Sequence, residues 1–116
     1  MLTDGPLTLD RKEGKSSDTK IFCLSGPLTL INLFEFQTEL RGAPPSPLTI
    51  IDLAGVPYMD SAGMGLLMNQ YVRCQTRGTK LVVSGANSRV MDLFRITKVD
   101  KVLPLASSVE EAEAAN

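Results

Sequence analysis

The hydrophobic pattern switches between two periods along the chain. The run Leu48-Thr49-Ile50-Ile51-Asp52-Leu53-Ala54, flanked by Pro and Gly, reads as a buried strand. Just downstream, Met64, Leu67, Met68, Tyr71 and Val72 recur at helical spacing and predict one face of an amphipathic helix. Upstream, Leu7-Thr8-Leu9-Asp10 and Thr19-Lys20-Ile21-Phe22-Cys23-Leu24-Ser25 predict two strands, joined by the turn-rich stretch Gly14-Lys15-Ser16-Ser17-Asp18. Gly26-Pro27 ends the second of these. Thr29 then offers a cap for a helix whose Leu30, Leu33, Phe34, Gln37 and Leu40 share a face, with Ile31 off that face and exposed. Three prolines within Gly42-Ala43-Pro44-Pro45-Ser46-Pro47 deny both a helix interior and a strand ladder, so this segment is a loop.

The second half continues the alternation. Thr76-Arg77-Gly78-Thr79 supplies a helix stop with Gly at the left-handed position, and Lys80-Leu81-Val82-Val83-Ser84-Gly85 predicts another strand. Asn87 is placed to cap a third helix with Val90, Leu93, Phe94 and Thr97 on one face and Met91 and Ile96 flanking it. Val102-Leu103-Pro104-Leu105 reads as a short edge strand because of its proline. Ser108 and Glu111 have capping-box spacing for a last helix from Val109 to about Ala115. Strands alternating with helices in this way predict an α/β fold: a mostly parallel central sheet begun by an antiparallel hairpin, with about four helices.

Composition narrows the class. With 116 residues and 43% hydrophobic content the chain can bury one core and is too short for two, so residues 1–116 read as a single domain. A net charge of -1 with mixed signs leaves no basic stripe for nucleic acid and no polybasic anchor for a membrane. No apolar run approaches the ~20 residues that span a bilayer, and the N-terminus has no cationic lead before an apolar core, so a cytoplasmic location is expected. Two cysteines and no histidine give no metal cage, and Cys23 and Cys74 read as reduced, buried thiols.

The chemistry concentrates where the central strand meets the following helix, at Pro57-Tyr58-Met59-Asp60-Ser61-Ala62-Gly63-Met64-Gly65-Leu66-Leu67. Asp60 is a natural N-cap, and Ser61 follows at the helix mouth, short and hydroxylated. In open α/β sheets, functional groups gather at such junctions. A hydrolytic serine needs a base, and the chain has no histidine and no lysine placed by a Ser-Lys motif. Gly63-Met64-Gly65 lacks the spacing of a phosphate-binding loop, so catalysis and nucleotide hydrolysis by the chain itself rank last and no cofactor is implied. What remains is a serine that accepts a phosphate from another protein, adding about -1.5 to -2 charges beside Asp60. The plainer reading keeps Asp60 as a cap, Ser61 as a first-turn residue, Asp52 as a carboxylate satisfied by loop N–H groups, and Gly63 and Gly65 as close-packing positions.

Asp52-Leu53 followed by Met59-Asp60-Ser61-Ala62-Gly63-Met64-Gly65-Leu66-Leu67 resembles the signature of the STAS domain, in particular the anti-sigma factor antagonists. Leu24-Ser25-Gly26-Pro27-Leu28 and Leu93-Phe94-Arg95-Ile96-Thr97-Lys98-Val99-Asp100-Lys101-Val102 extend the resemblance over nearly the whole chain. It implies a non-enzymatic switch, monomeric when free. Unphosphorylated antagonist binds an anti-sigma factor that is also a serine kinase and frees a sigma factor; phosphorylation, which maps onto Ser61, ends binding; a metal-dependent serine phosphatase reverses it. Met59, Asp60, Ser61, Ala62, Gly63 and Met64 are the implied partner-binding residues.

Three positions depart from the family pattern. Ala62 replaces a second serine, Thr29 replaces an acidic residue, and Lys98 replaces the glycine that commonly ends the third helix. At Lys98 either the left-handed conformation is kept at up to ~1 kcal/mol or the turn differs. The alternative reading is a STAS scaffold subunit of a lipid-transport or stress-signalling complex with no phosphorylation cycle. Ile31, Met91 and Ile96 are too scattered along the chain to define an interface.

Overall fold

The computed structural model describes residues 6–15 and 18–114. The hairpin β1 (Thr8–Glu13) and β2 (Thr19–Ser25) is followed by α1 (Phe34–Gly42), β3 (Leu48–Gly55), α2 (Ser61–Arg77) and β4 (Lys80–Ser84). Then come α3 (Ser88–Ile96), a single 3-10 turn (Val99–Lys101), β5 (Leu105–Ala106) and α4 (Val109–Ala114). The strands form one sheet in sequence order, β1 antiparallel to β2 and every later pair parallel. This is the α/β architecture that the pattern predicts.

Serial order explains the layering. Parallel strands added in one direction by right-handed crossovers put their connecting helices on one face of the sheet. On that face Phe22, Leu24, Ile51, Leu53, Leu81 and Val83 pack with residues of α1, α2 and α3. The rings of Phe22 and Phe36 lie 6.1 Å apart, tilted by 60°. Complete burial of a side chain such as Phe36 stabilises the fold by about 2–3 kcal/mol. Alternate strand residues Ile21, Ile50 and Val82 point the other way and meet Ala112 of α4. In α4 the Glu111 N–H donates to Ser108 Oγ at 3.1 Å, while the Glu111 carboxylate accepts from the N–H and hydroxyl of Ser107, both at 2.9 Å. Those two bonds hold the Glu111 carboxyl below the usual glutamate range.

Several elements differ from the sequence-based expectation. α1 starts at Phe34, not after Thr29, so Thr29 is not its cap. The Thr29 N–H and hydroxyl go instead to Asn32 Oδ1, at 2.8 and 3.2 Å, and the Asn32 amide donates to the Pro27 carbonyl. The buried face becomes Leu33, Phe36 and Leu40, leaving Leu30 and Phe34 exposed and Gln37 half-buried. In α2 the inward stripe is Gly63, Leu66, Leu67, Gln70 and Cys74; Met64, Met68 and Tyr71 are half-buried and Val72 is exposed. The reason is that a glycine and a glutamine on the buried side carry no hydrophobic signal. In α3, Val90 and Phe94 are buried and Leu93 half-buried, whereas Thr97 is an exposed C-cap whose hydroxyl donates to the Leu93 carbonyl at 2.7 Å.

β1 runs on to Glu13 through charged residues because an edge strand needs its backbone partner more than apolar side chains. β5 is only Leu105–Ala106, an edge strand as expected but beginning after Pro104, whose carbonyl accepts from the Val83 N–H at 2.9 Å. Cys74 is buried but Cys23 is half-buried, and both are free. Burial first, then the Asp52 carboxylate, push the Cys23 thiol up from its ordinary range. Ser16 and Ser17 of the predicted turn and Ala115 of the predicted last helix lie outside the described residues.

Gly78 closes α2 at φ 75° as the sequence indicates. Lys98 keeps the left-handed conformation too, at φ 63°, the only non-glycine with positive φ among the described residues. A Cβ there is strained, so Lys98→Gly is expected to raise stability by about 0.5–1 kcal/mol after the entropy that glycine adds to the unfolded chain. Urea denaturation of both proteins measures it; an unchanged or lower midpoint would show that the turn carries no strain.

Candidate functional site

The first turn of α2 is assembled from three segments, and Asp60 joins two of them. As the N-cap it is extended (φ -104°, ψ -176°), with its carbonyl accepting the first helical bond from the Met64 N–H at 3.0 Å. One carboxylate oxygen accepts from the Gly63 N–H at 2.9 Å, capping α2. The other accepts from the Leu30 N–H at 3.0 Å, fastening the turn that follows β2. Leu28 and Met59 form a parallel bridge just beneath, through Leu28 N–H to Tyr58 O at 3.2 Å and Asp60 N–H to Leu28 O at 3.3 Å. The fit is close enough that a Cβ on Gly63 would lie 2.3 Å from the Leu28 carbonyl oxygen. A Cβ on Gly65 would meet nothing within 4 Å, so close packing explains only the first of the two glycines.

Asn87 does the equivalent work on the other side. Its Oδ1 accepts from the Val90 N–H at 2.8 Å, capping α3, and its amide nitrogen donates to the carbonyls of Val56 and Pro57 at 3.2 and 3.1 Å. The Arg89 guanidinium lies 5.1 Å from the centre of the Tyr58 ring, a cation–π contact. The loop from Val56 to Met59 is therefore tied to the start of α3 as well as to the exit of β2. The sequence marks Asn87 as a cap but does not reveal this tether; the only signal is that capping uses the amide oxygen and leaves two donors unassigned.

Ser61 is exposed at the first position of α2, Ala62 is half-buried beside it, and Gly63 is buried against Leu28. Met64 is half-buried with its sulfur 3.2 Å from the Thr97 hydroxyl. Met59 is buried under the turn, so of the six residues singled out it contributes backbone and packing more than surface. Asp52 lies one strand-end away, accepting from the Ala54 N–H and the Ser84 hydroxyl, both at 3.2 Å, which fits a structural carboxylate.

The arrangement offers an exposed hydroxyl on a helix start that Asp60 bonds to both Gly63 and Leu30. No group of three His, Cys, Asp or Glu able to hold a metal ion occurs among the described residues. A cavity of about 560 Å³, lined by residues such as Lys15, Leu48, Lys80 and Glu113, lies at the opposite end of the strands. No helix among the described residues is long and apolar enough to cross a membrane. A surface like that around Ser61 suits contact with another protein.

Comparison with known proteins fits this geometry. The STAS domain model matches residues 12–112. The anti-sigma-B factor antagonist of Listeria monocytogenes is 32% identical over 66 residues, covering 57% of this chain and 58% of that protein, so the match spans a little over half the relative's length. Solute carrier family 26 member 10 of Mus musculus is 34% identical over 76 residues, 63% of this chain and 11% of that protein. The crystal structure of an anti-sigma factor antagonist from Mycobacterium paratuberculosis shares the fold, with a TM-score of 0.85 at 20% identity over 94% of this chain and 92% of that one. With a family match running from β1 into α4, and a serial sheet whose second helix opens on Ser61 behind the Asp60 cap, this chain belongs to the STAS domain family.

Proposed function

We propose that this chain is an anti-sigma factor antagonist switched at Ser61. In its unphosphorylated form it binds a serine-kinase anti-sigma factor through the turn and first helical residues from Met59 to Met64, and a sigma factor is released. Phosphorylation of Ser61 ends that binding, and a metal-dependent serine phosphatase restores it. The chain acts as a single regulatory domain in the cytoplasm and catalyses nothing itself. The observation that carries the reading is an exposed Ser61 directly after Asp60, whose two carboxylate oxygens are already engaged. A dianionic group placed there adds to the negative charge of the Asp60 carboxylate, and in the complex it faces the nucleotide phosphates of the kinase. The similarity to the Listeria antagonist supports the same reading.

Intact-mass analysis after incubation with ATP and each candidate anti-sigma serine kinase of the host tests it. One added phosphate on the native chain, absent from Ser61→Ala, is the expected result. No modification by any of these kinases would overturn the switch. The similarity to a domain-sized piece of a mouse solute carrier favours the second reading, a STAS module used for protein contact without a phosphorylation cycle. A partner whose affinity ignores Ser61→Asp would select that one.

A further inference from the structure

Two exposed apolar groups lie on segments that touch the residues on either side of Ser61, Asp60 and Met64. On the α1 side Leu30 and Ile31 are 59% and 76% exposed; on the α3 side Ile96 is 80% exposed. They lie far apart in sequence, yet the fold brings both to the first turn of α2. Leu30 is fixed there by its N–H bond to Asp60, and Thr97, next to Ile96, touches Met64. The turn bearing Leu30 and Ile31 directs its polar groups at one another, Thr29 to Asn32 and Asn32 to Pro27, so what it shows outward is aliphatic. The α3 side differs in having a basic rim. Arg95 is paired with Asp92 at 3.3 Å, and Lys98 and Lys101 are exposed beyond it. Lys98 is held in the strained left-handed conformation, where a glycine would fit freely, and strain of that kind is retained at functional surfaces.

We infer that Leu30, Ile31 and Ile96 anchor one protein interface centred on Ser61, and that the partner carries apolar sockets with an acidic rim opposite Lys98 and Lys101. The inference rests on the Ser61 switch and states the chemistry its anti-sigma kinase must present. A bilayer is a poor occupant, because the Asp60 carboxylate, bonded to the Leu30 N–H, and the Ser61 hydroxyl next to it would be buried in hydrocarbon. A second copy docked through this same face would set its Lys98 and Lys101 against their own counterparts, like charge on like. An acidic rim also accounts for release, since it is attracted to the lysines and repelled by a dianion at Ser61.

The test uses the kinase that adds the Ser61 phosphate, titrated calorimetrically with a non-hydrolysable ATP analogue. Ile31→Glu and Ile96→Glu are each expected to weaken binding at least about thirty-fold, as loss of an interface anchor does. Lys98→Asn, which tolerates the left-handed conformation and removes the charge, is expected to weaken it several-fold and to flatten its salt dependence. Val72→Glu, at an exposed apolar residue further along α2, serves as control and stays within about twofold. Native binding retained within about threefold in either isoleucine variant would overturn the inference and leave the switch intact. If no kinase modifies the native chain, the switch fails first and this interface falls with it. A free chain that sediments as a dimer and is split by Ile96→Glu would overturn it in favour of a second copy.

Discussion

Ser61→Asp is expected to weaken binding to the anti-sigma kinase by at least about a hundredfold, whereas Ser61→Ala binds as the native chain does. The loss has two parts. A carboxylate at this exposed position must be desolvated when the partner closes over it, and it faces the kinase's acidic and nucleotide-phosphate groups. Two unit charges about 4 Å apart at a protein surface interact with about 4 kcal/mol, so incomplete neutralisation alone accounts for an effect of this size. The fold itself tolerates the change. An acid at the first position of a helix interacts favourably with the helix dipole, by about 0.3–1 kcal/mol, so thermal stability should hold or rise slightly while binding disappears. Titration of the three proteins against one kinase, beside their melting curves, makes the comparison. Equal affinities would remove Ser61 from the interface.

The second large effect is on stability. Gly63→Ala puts a methyl group 2.3 Å from the Leu28 carbonyl oxygen and 3.0 Å from its Cγ. Leu28 cannot withdraw: it is fully buried, and its backbone is bridged to Met59. The first turn of α2 must move instead, which stretches the Asp60 bonds to Gly63 and Leu30. A loss of about 2–3 kcal/mol is expected, the scale of overpacking in a core that cannot relax. Gly65→Ala, two residues on and with open space around it, should instead gain about 0.5–1 kcal/mol from helix propensity. Urea unfolding of the pair measures the contrast. If both variants shifted the same way, the contact between Leu28 and Gly63 would not be what sets the position of the helix.

Much of the site is legible locally. Asp60 as cap, Ser61 as the exposed first residue and Gly78 as terminator follow from residue chemistry within one turn of chain, and the structure retains all three. The strands β2, β3 and β4 are legible because each is a short apolar run bounded by turn residues. Departures arise where a local rule competes with a distant partner. Thr29 has the chemistry of a cap, but Asn32 takes its N–H while the Leu28 backbone pairs with Met59, thirty-one residues away, so no helix can start there. The buried stripe of α2 departs from the predicted one because the surface it packs against accepts a glycine at 63 and a glutamine at 70.

Fold class, the order of elements and the serine at the helix mouth are all readable from the chain alone, since each depends on periodicity and capping within a few residues. What surrounds that serine is settled by tertiary packing. The double use of the Asp60 carboxylate, the Asn87 tether, and the contact of the Thr97 hydroxyl with Met64 join segments about thirty residues or more apart. No local pattern encodes them, because they follow from how right-handed crossovers stack α1, α2 and α3 side by side on one face of the sheet.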